Sequence, residues 1–206
     1  YKDLGLVFRA IPWSELKITS HSDAAFDRDK DGKSQGGYIT AFTDGNLAKG
    51  LKAAWCPAMW KSFRLRRACT STLAAEVQTL LEAIRSMEWM GSLLAEAKFP
   101  DFSLRERDRY LQQVVGPLMT DCKSAYDNIR NVGCPSGLKD LSVGLDVAIM
   151  KQELGRMKVD LRWCPSERNL ADALTKDQAE PIDLLRAVMK SGEFVLAAEE
   201  TVLKQK

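Results

Sequence analysis

The sequence predicts an α/β domain in which a meander of three antiparallel strands precedes alternating helices and strands. Three observations favour this class. Polar and apolar residues alternate in the extended segments before residue 61. Apolar residues then recur at three- and four-residue steps over one long segment, and short apolar runs return between further helical segments. The resulting order is β-β-β-α-β-α-α-β-α.

The first three strands are predicted at residues 16–26, 37–42 and 53–60. The first carries Asp23 and His21 on its polar face and Ile18 on its apolar face. The other two are joined by the turn Thr43-Asp-Gly-Asn46, which is typical of a hairpin.

The longest helix is predicted from Ser71 to about Ala97, with Ser71 or Thr72 as its cap. An apolar strand at 114–120, interrupted by Pro117, and helices at 123–131 and 141–157 follow. A last strand at 159–163 leads to a helix that Asn169 caps.

Composition narrows the class of protein. The 206 residues are 45% hydrophobic and 28% charged, with a net charge of +2, which excludes disordered, collagenous and membrane-spanning classes. The five cysteines include no CxxC pair, so neither a disulfide framework nor a zinc site is indicated. We expect an intracellular protein without a membrane partner.

Four carboxylates stand at the ends of predicted elements: Asp23, Glu76, Asp121 and Asp172. Each has an ordinary structural explanation, such as a helix cap or an arginine partner. Glu76 is the most unusual of the four, because it borders the apolar stripe of the long helix, where a carboxylate is costly unless it is paired or bound to metal. Their combined placement favours a metal site.

Several motifs resemble the ribonuclease H domain of copia-type (LTR) retrotransposon polyproteins. They are Ser22-Asp-Ala24, Gly36-Gly-Tyr38, Ser71-Thr-Leu-Ala-Ala-Glu76, Thr120-Asp-Cys-Lys-Ser-Ala125 and the closing stretch Trp163-Cys-Pro-Ser-Glu-Arg-Asn-Leu-Ala-Asp-Ala-Leu-Thr-Lys176. The resemblance implies a ribonuclease H-like fold with a five-stranded mixed sheet, three strands antiparallel and then parallel ones, flanked by helices. It also implies a junction with an upstream reverse transcriptase domain at 1–15 and the ribonuclease domain at 16–176. The remaining residues, 177–206, are predicted from their own pattern to form a helical C-terminal extension.

The same resemblance implies hydrolysis of the RNA strand of an RNA/DNA hybrid with two Mg²⁺ ions, for which Mn²⁺ can substitute. Asp23 would bridge both ions, Glu76 and Asp121 would complete the ion at the leaving group, and Asp172 would hold the ion that binds the attacking water. The reverse transcriptase domain of the same polyprotein would be a partner. The protein would be located in a cytoplasmic retrotransposon particle or in the nucleus.

Two further groups of residues are candidates. The basic residues Lys61, Arg64, Arg66 and Arg67 could bind nucleic-acid phosphates, or could equally be a solvated loop. His21 lies two residues before Asp23 on the same strand face, so it is expected to point toward the metals, either as a support for their ligands or as an incidental group.

Two alternatives to the ribonuclease remain open. One is a catalytically silent or domesticated module of the same fold that binds nucleic acid or a protein partner, for which the apolar residues of the C-terminal extension are the supporting feature. The other is an integrase-like or resolvase-like protein that acts on DNA, which the closing motif disfavours.

Overall fold

The computed structural model describes residues 5–26, 34–131 and 140–196. Its strands are β1 (Lys17–Ala25), β2 (Gln35–Thr43), β3 (Lys52–Arg64), β4 (Val115–Thr120), β5 (Leu161–Trp163) and β6 (Glu193–Val195). Its α-helices are α1 (Thr72–Lys98), α2 (Arg107–Val114), α3 (Lys123–Arg130), α4 (Leu141–Met157) and α5 (Ala179–Ser191). A closing 3₁₀ helix, Leu170–Leu174, lies between β5 and α5.

The strands form one mixed sheet in the order β5-β4-β1-β2-β3-β6. The pairs β1–β2, β2–β3 and β3–β6 are antiparallel, whereas β4 runs parallel to β1 and β5 parallel to β4. This arrangement confirms the α/β class, with three antiparallel strands followed by parallel ones.

The sheet has six strands, so the prediction of five was wrong. The sixth comes from the C-terminal extension, which was expected to be helical. Of its described residues, 177–196, only those of α5 form a helix. Gly192 ends α5 with a positive φ of 66°. The chain then turns back along β3, and Phe194 is buried on the sheet.

The structure also corrects two details of the predicted element order. Helix α2 was not predicted, because only Tyr110, Leu111 and Val114 of its eight residues are buried. It packs closely on α1, since a Cβ at Gly91 would lie 2.7 Å from Leu111. The segment after Asn169 is a 3₁₀ helix rather than an α-helix, and the side chain of Asn169 does cap it.

Two apolar cores cover the two faces of the sheet. The larger core lies between the sheet and helices α1 and α4, with Leu80 and Leu118 among its fully buried side chains. The smaller core lies on the opposite face, where Trp55, Leu170 and Phe194 pack together. Within the described residues, no helix is long and apolar enough to cross a membrane. The start of the predicted junction (residues 1–4) and the end of the extension (197–206) lie outside the described residues.

Candidate metal centre

Three aspartates meet at one edge of the sheet. Asp23 lies near the end of β1, and Asp121 directly follows β4, which is parallel to β1 and adjacent to it. The closing 3₁₀ helix brings Asp172 over the same edge. One carboxylate oxygen from each of these aspartates lies within 4.8 Å of the other two.

Glu76 approaches this cluster from α1. The helix begins at Thr72, and its first turn is fixed by the Ser71 hydroxyl, which accepts a hydrogen bond of 3.1 Å from the Ala74 amide. The Glu76 side chain is therefore held one turn inside the helix and is buried. Burial raises its pKa well above the usual range, and the nearby charges of Asp23 and Asp121 raise it further.

Burial and mutual repulsion also act on two of the aspartates. The pKa of Asp172 rises from 3.8 to about 7, first because the carboxyl is buried and then because Asp23 is close. Burial likewise raises the pKa of Asp23. The ionised forms of these carboxyls are therefore less stable in the folded protein than in water, because the protein supplies too little positive charge to offset burial and repulsion.

Donor groups from the chain that follows β5 fix the orientation of these carboxylates. Both oxygens of Asp121 accept hydrogen bonds, one of 2.5 Å from the Ser166 hydroxyl and one of 3.0 Å from the Asn169 amide. The Thr175 hydroxyl donates to Asp23, and the Lys176 ammonium lies 2.5 Å from Asp172. Ser166, Asn169 and Thr175 were not predicted as parts of the site, although they belong to the closing motif, as Lys176 does.

The carboxylate set suits a hard divalent cation. Its donors are all carboxylate oxygens, the ligands that Mg²⁺ and Mn²⁺ prefer. One oxygen of Glu76 (Oε2) and one of Asp172 (Oδ1) are buried without a hydrogen-bond partner. Buried oxygens of this kind need a partner, and a cation would supply it.

His21 lies beneath this cluster, inside the smaller core. Its ring centroid is 5.2 Å from that of Phe194 and 6.5 Å from that of Trp55, both in edge-to-face geometry. Complete burial lowers its pKa to about 3, so the imidazole is neutral. The structure thus places His21 among aromatic side chains rather than among the carboxylate oxygens.

The four predicted basic residues separate into two locations. Lys61, Arg66 and Arg67 line a cavity of about 440 Å³ between β3, α1 and α4, together with Arg85 of α1. Arg64 does not line this cavity. On β3 it shares a strand face with Ser62, whose hydroxyl donates to the backbone of the closing 3₁₀ helix.

Within the basic cavity the charges are only partly neutralised. Arg67 forms an ion pair of 2.6 Å with Asp146, and Arg85 forms one of 2.9 Å with Glu82. Lys61 lies 4.8 Å from the centre of the Phe63 ring. Lys61 and Arg66 are exposed on this surface.

Comparison with known proteins supports the fold at low sequence identity. The chain matches no family model, and no curated protein sequence matches it. It is similar to ribonuclease H1 from the halophilic archaeon Halobacterium salinarum NRC-1, with a TM-score of 0.50, 15% identity, and coverage of 81% of this chain and 98% of that one.

Two other solved structures have a lower overall similarity. LC11-RNase H1, isolated from compost by a metagenomic approach, has a TM-score of 0.49 and 16% identity, over 77% of this chain and 91% of that one. The prototype foamy virus protease-reverse transcriptase has a TM-score of 0.41 and 12% identity, over 91% of this chain and 22% of that one. The similarity to the archaeal ribonuclease H1 shows that the chain has a ribonuclease H-like fold.

Proposed function

We propose that this protein is a metal-dependent endonuclease that hydrolyses the RNA strand of RNA/DNA hybrids. One observation carries the proposal: four carboxylates from four separate elements converge at one edge of a ribonuclease H-like sheet. Three of them lie within 4.8 Å of one another. The fourth, Glu76, is buried beside them with an unpartnered oxygen.

The carboxylates have distinct places in the proposed mechanism. Two Mg²⁺ ions would supply an activated water and stabilise the leaving oxygen. By the resemblance, Asp23 would be the ligand that both ions share, Glu76 and Asp121 would complete the ion at the leaving group, and Asp172 would hold the ion that binds the attacking water. The clustering of Asp23, Asp121 and Asp172 within 4.8 Å supports this assignment. Ser166 and Asn169 hold the Asp121 carboxylate in one orientation, and Thr175 holds that of Asp23.

Protonation of Asp172 would govern the site near neutral pH. A carboxyl with a pKa of about 7 is only half ionised there, and the protonated form is a poor metal ligand. We therefore expect metal binding and cleavage to strengthen as the pH rises above 7, because Asp172 releases its proton more readily.

The basic cavity is the best candidate for gripping the hybrid backbone. Lys61, Arg66, Arg67 and Arg85 surround it, and cationic side chains around a groove bind phosphates in a salt-dependent manner. Arg64 would act separately, because it lies on the other strand face.

The polyprotein context is also part of the proposal. The closing motif resembles copia-type elements, which supports a role in retrotransposon reverse transcription, with the reverse transcriptase domain of the same polyprotein as partner. Such a protein would work in a cytoplasmic particle or in the nucleus.

The main alternative is a silent module that binds a partner through the C-terminal extension. Much of the apolar surface on which this idea rests is used internally, because Leu185, Val188 and Phe194 are buried in the smaller core. The described part of the extension thus uses these side chains to complete the fold, which favours the nuclease over this alternative.

The test is cleavage of an end-labelled RNA/DNA hybrid in Mg²⁺ or Mn²⁺. We expect cuts only in the RNA strand, loss of cleavage in Asp121→Asn, and full activity in Asp127→Asn, an exposed aspartate on α3. Double-stranded DNA and double-stranded RNA serve as substrate controls. A folded protein that leaves the hybrid intact at low salt, or that cuts equally well with Asp121→Asn, would contradict the proposal.

A further inference from the structure

Lys176 places a positive charge inside the carboxylate cluster. It follows Asp172 by four residues, and its Nζ lies 2.5 Å from Asp172 Oδ2 and 3.7 Å from Asp23 Oδ1. Within the described part of the chain, every ion pair made by these two aspartates is made with Lys176. The lysine thus contacts carboxylates on two different elements, β1 and the closing 3₁₀ helix.

The charge of Lys176 reaches all four carboxylates. Its ammonium interacts electrostatically with Asp23, Asp121 and Asp172, and also with Glu76. Four carboxylates in so small a space repel one another, and at these distances a single cation offsets part of that repulsion. The close contact with Asp172 also occupies Oδ2, one of the two carboxylate oxygens that could bind a metal ion.

The position of the lysine allows it to leave. Its side chain is 30% exposed, whereas those of Asp172 and Asp23 are 4% and 3% exposed. A lysine has a long flexible stem and a compact charge, so its ammonium can turn into solvent while its backbone stays in place. The aspartates have no comparable freedom, because they are enclosed by β1 and the closing 3₁₀ helix.

We propose that Lys176 is a built-in counter-cation that stabilises the ion-free carboxylate cluster and competes with divalent ions for Asp172 and Asp23. This inference rests on the proposed function and concerns regulation of the same site. Loading the site requires the ammonium to move away from Asp172, so the lysine sets the Mg²⁺ concentration at which the site fills. The same contact keeps the four carboxylates together before any ion arrives.

The test measures Mg²⁺ binding by calorimetry, without substrate, at pH 8. Removing one positive charge strengthens the attraction for a divalent cation, so Lys176→Met should bind Mg²⁺ about tenfold more tightly than the unchanged protein. Lys123→Met is the matched control, because Lys123 also pairs with an aspartate four residues away but on the exposed surface of α3. It should leave the affinity unchanged.

Thermal unfolding supplies a second readout. Without divalent ions, Lys176→Met should unfold at a lower temperature than the unchanged protein, because the carboxylates lose their counter-charge. At saturating Mg²⁺ that difference should disappear. Lys176→Gln is a second variant, because it removes the charge but can still donate a hydrogen bond to Asp172. It should also bind Mg²⁺ more tightly than the unchanged protein, so it replaces Lys176→Met if that variant does not fold.

The outcomes separate this inference from the proposed function. If the unchanged protein binds Mg²⁺ and Asp121→Asn weakens that binding, while neither Lys176 variant tightens it, only the counter-cation role is overturned. An equal loss of thermal stability with and without Mg²⁺ would mean that Lys176 is merely structural, which also overturns it. If neither the unchanged protein nor either Lys176 variant binds Mg²⁺, both the metal site and the counter-cation role fail.

Discussion

The side-chain amide of Asn169 donates a hydrogen bond of 3.0 Å to the carboxylate of Asp121. The same nitrogen donates to the carbonyl oxygen of Ser22 at 3.0 Å, and the Asn169 oxygen accepts from the Ala171 amide at 3.2 Å. One fully buried side chain therefore joins β1, the end of β4 and the closing 3₁₀ helix. The relative positions of the three aspartates depend on this junction.

Replacing Asn169 with alanine should reduce both stability and metal binding. The Ser22 carbonyl would lose a buried partner and the 3₁₀ helix its cap, at a cost of about 1–3 kcal/mol in the free energy of unfolding. Urea denaturation measures this loss, and Asn128→Ala on the exposed face of α3 is the control. Equal effects of the two substitutions would contradict the role given to Asn169.

Gly37→Ala tests how closely the closing 3₁₀ helix packs on β2. A Cβ at Gly37 would lie 2.8 Å from Thr175 and 2.9 Å from Leu174, so the 3₁₀ helix would have to shift. We expect a loss of about 1–3 kcal/mol in the free energy of unfolding and weaker Mg²⁺ binding, because Thr175 and Asp172 move together. In Gly45→Ala, where nothing lies within 4 Å, Mg²⁺ binding should be unchanged. Unaltered calorimetric binding in Gly37→Ala would show that the contact is unimportant.

The stability of the ion-free protein should depend on the ionisation of Asp172. Its pKa is about 7 in the folded protein and 3.8 ordinarily, so the folded state holds the proton more tightly than the unfolded state. Its stabilising contribution is therefore full below pH 3.8 and is lost as the pH rises to about 7, by at most about 1.4 kcal/mol per pH unit.

Asp172→Asn should flatten this pH dependence. Urea denaturation between pH 5 and pH 8, without divalent ions, compares the unchanged protein with Asp172→Asn and with Asp183→Asn, an exposed aspartate of α5. We expect the first substitution, and not the second, to make the protein more stable at pH 8. A pH dependence unchanged by Asp172→Asn would be inconsistent with the raised pKa.

His21 should make the protein sensitive to acid. Its pKa is about 3 in the folded protein and 6.5 ordinarily, so the unfolded state binds the proton more tightly. Stability from this group is present above pH 6.5 and is lost as the pH falls toward 3, by at most about 1.4 kcal/mol per pH unit. Relative to the unchanged protein, His21→Leu should gain stability as the pH falls from 6.5 to 4. Parallel stability curves for the two proteins would refute this.

The basic cavity should contribute to hybrid binding through phosphate contacts. Binding of the RNA/DNA hybrid, measured at several salt concentrations with Asp121→Asn present in every protein to prevent cleavage, should weaken in Arg66→Met. The magnitude of the slope of log K against log salt should fall by about one, which corresponds to the loss of one phosphate contact. Glu167→Gln, which removes a charge of opposite sign in the segment before Asn169, should not reduce the slope. A slope unaffected by Arg66→Met would leave this residue outside the interface.

Several features of the protein follow from local sequence alone. The alternation around Asp23, the apolar run that ends before Asp121 and the cap at Asn169 each reflect interactions between neighbouring residues. Local patterns of this kind are therefore sufficient to assign the four carboxylates to the ends of elements. The α/β class follows from the same local periodicities, with the meander first and the alternating elements afterwards.

Other features depend on contacts between distant segments. A three-residue strand such as β6 is too short to have its own periodic pattern, and it exists because Phe194 fills a gap beside Trp55 and His21. The pairing register between β2 and β3 changes near Pro57 and Met59. Beyond this point, the β3 side chains that face each side of the sheet no longer follow the alternation of the first half of the strand. The predicted third strand also ended at residue 60, whereas β3 continues to Arg64, so the sequence analysis did not show that Lys61 and Arg64 lie on different strand faces.

The sequence by itself thus determined the class of fold and which carboxylates could meet. Only the tertiary structure decided that His21 is covered by aromatic rings and that Ser166, Asn169 and Lys176 contact the aspartates. The physical reason is that periodicity reports which side of a strand or helix is buried, whereas the groups that meet there come from elements far apart in the chain. The burial and charge of those neighbours then set the pKa of each carboxyl.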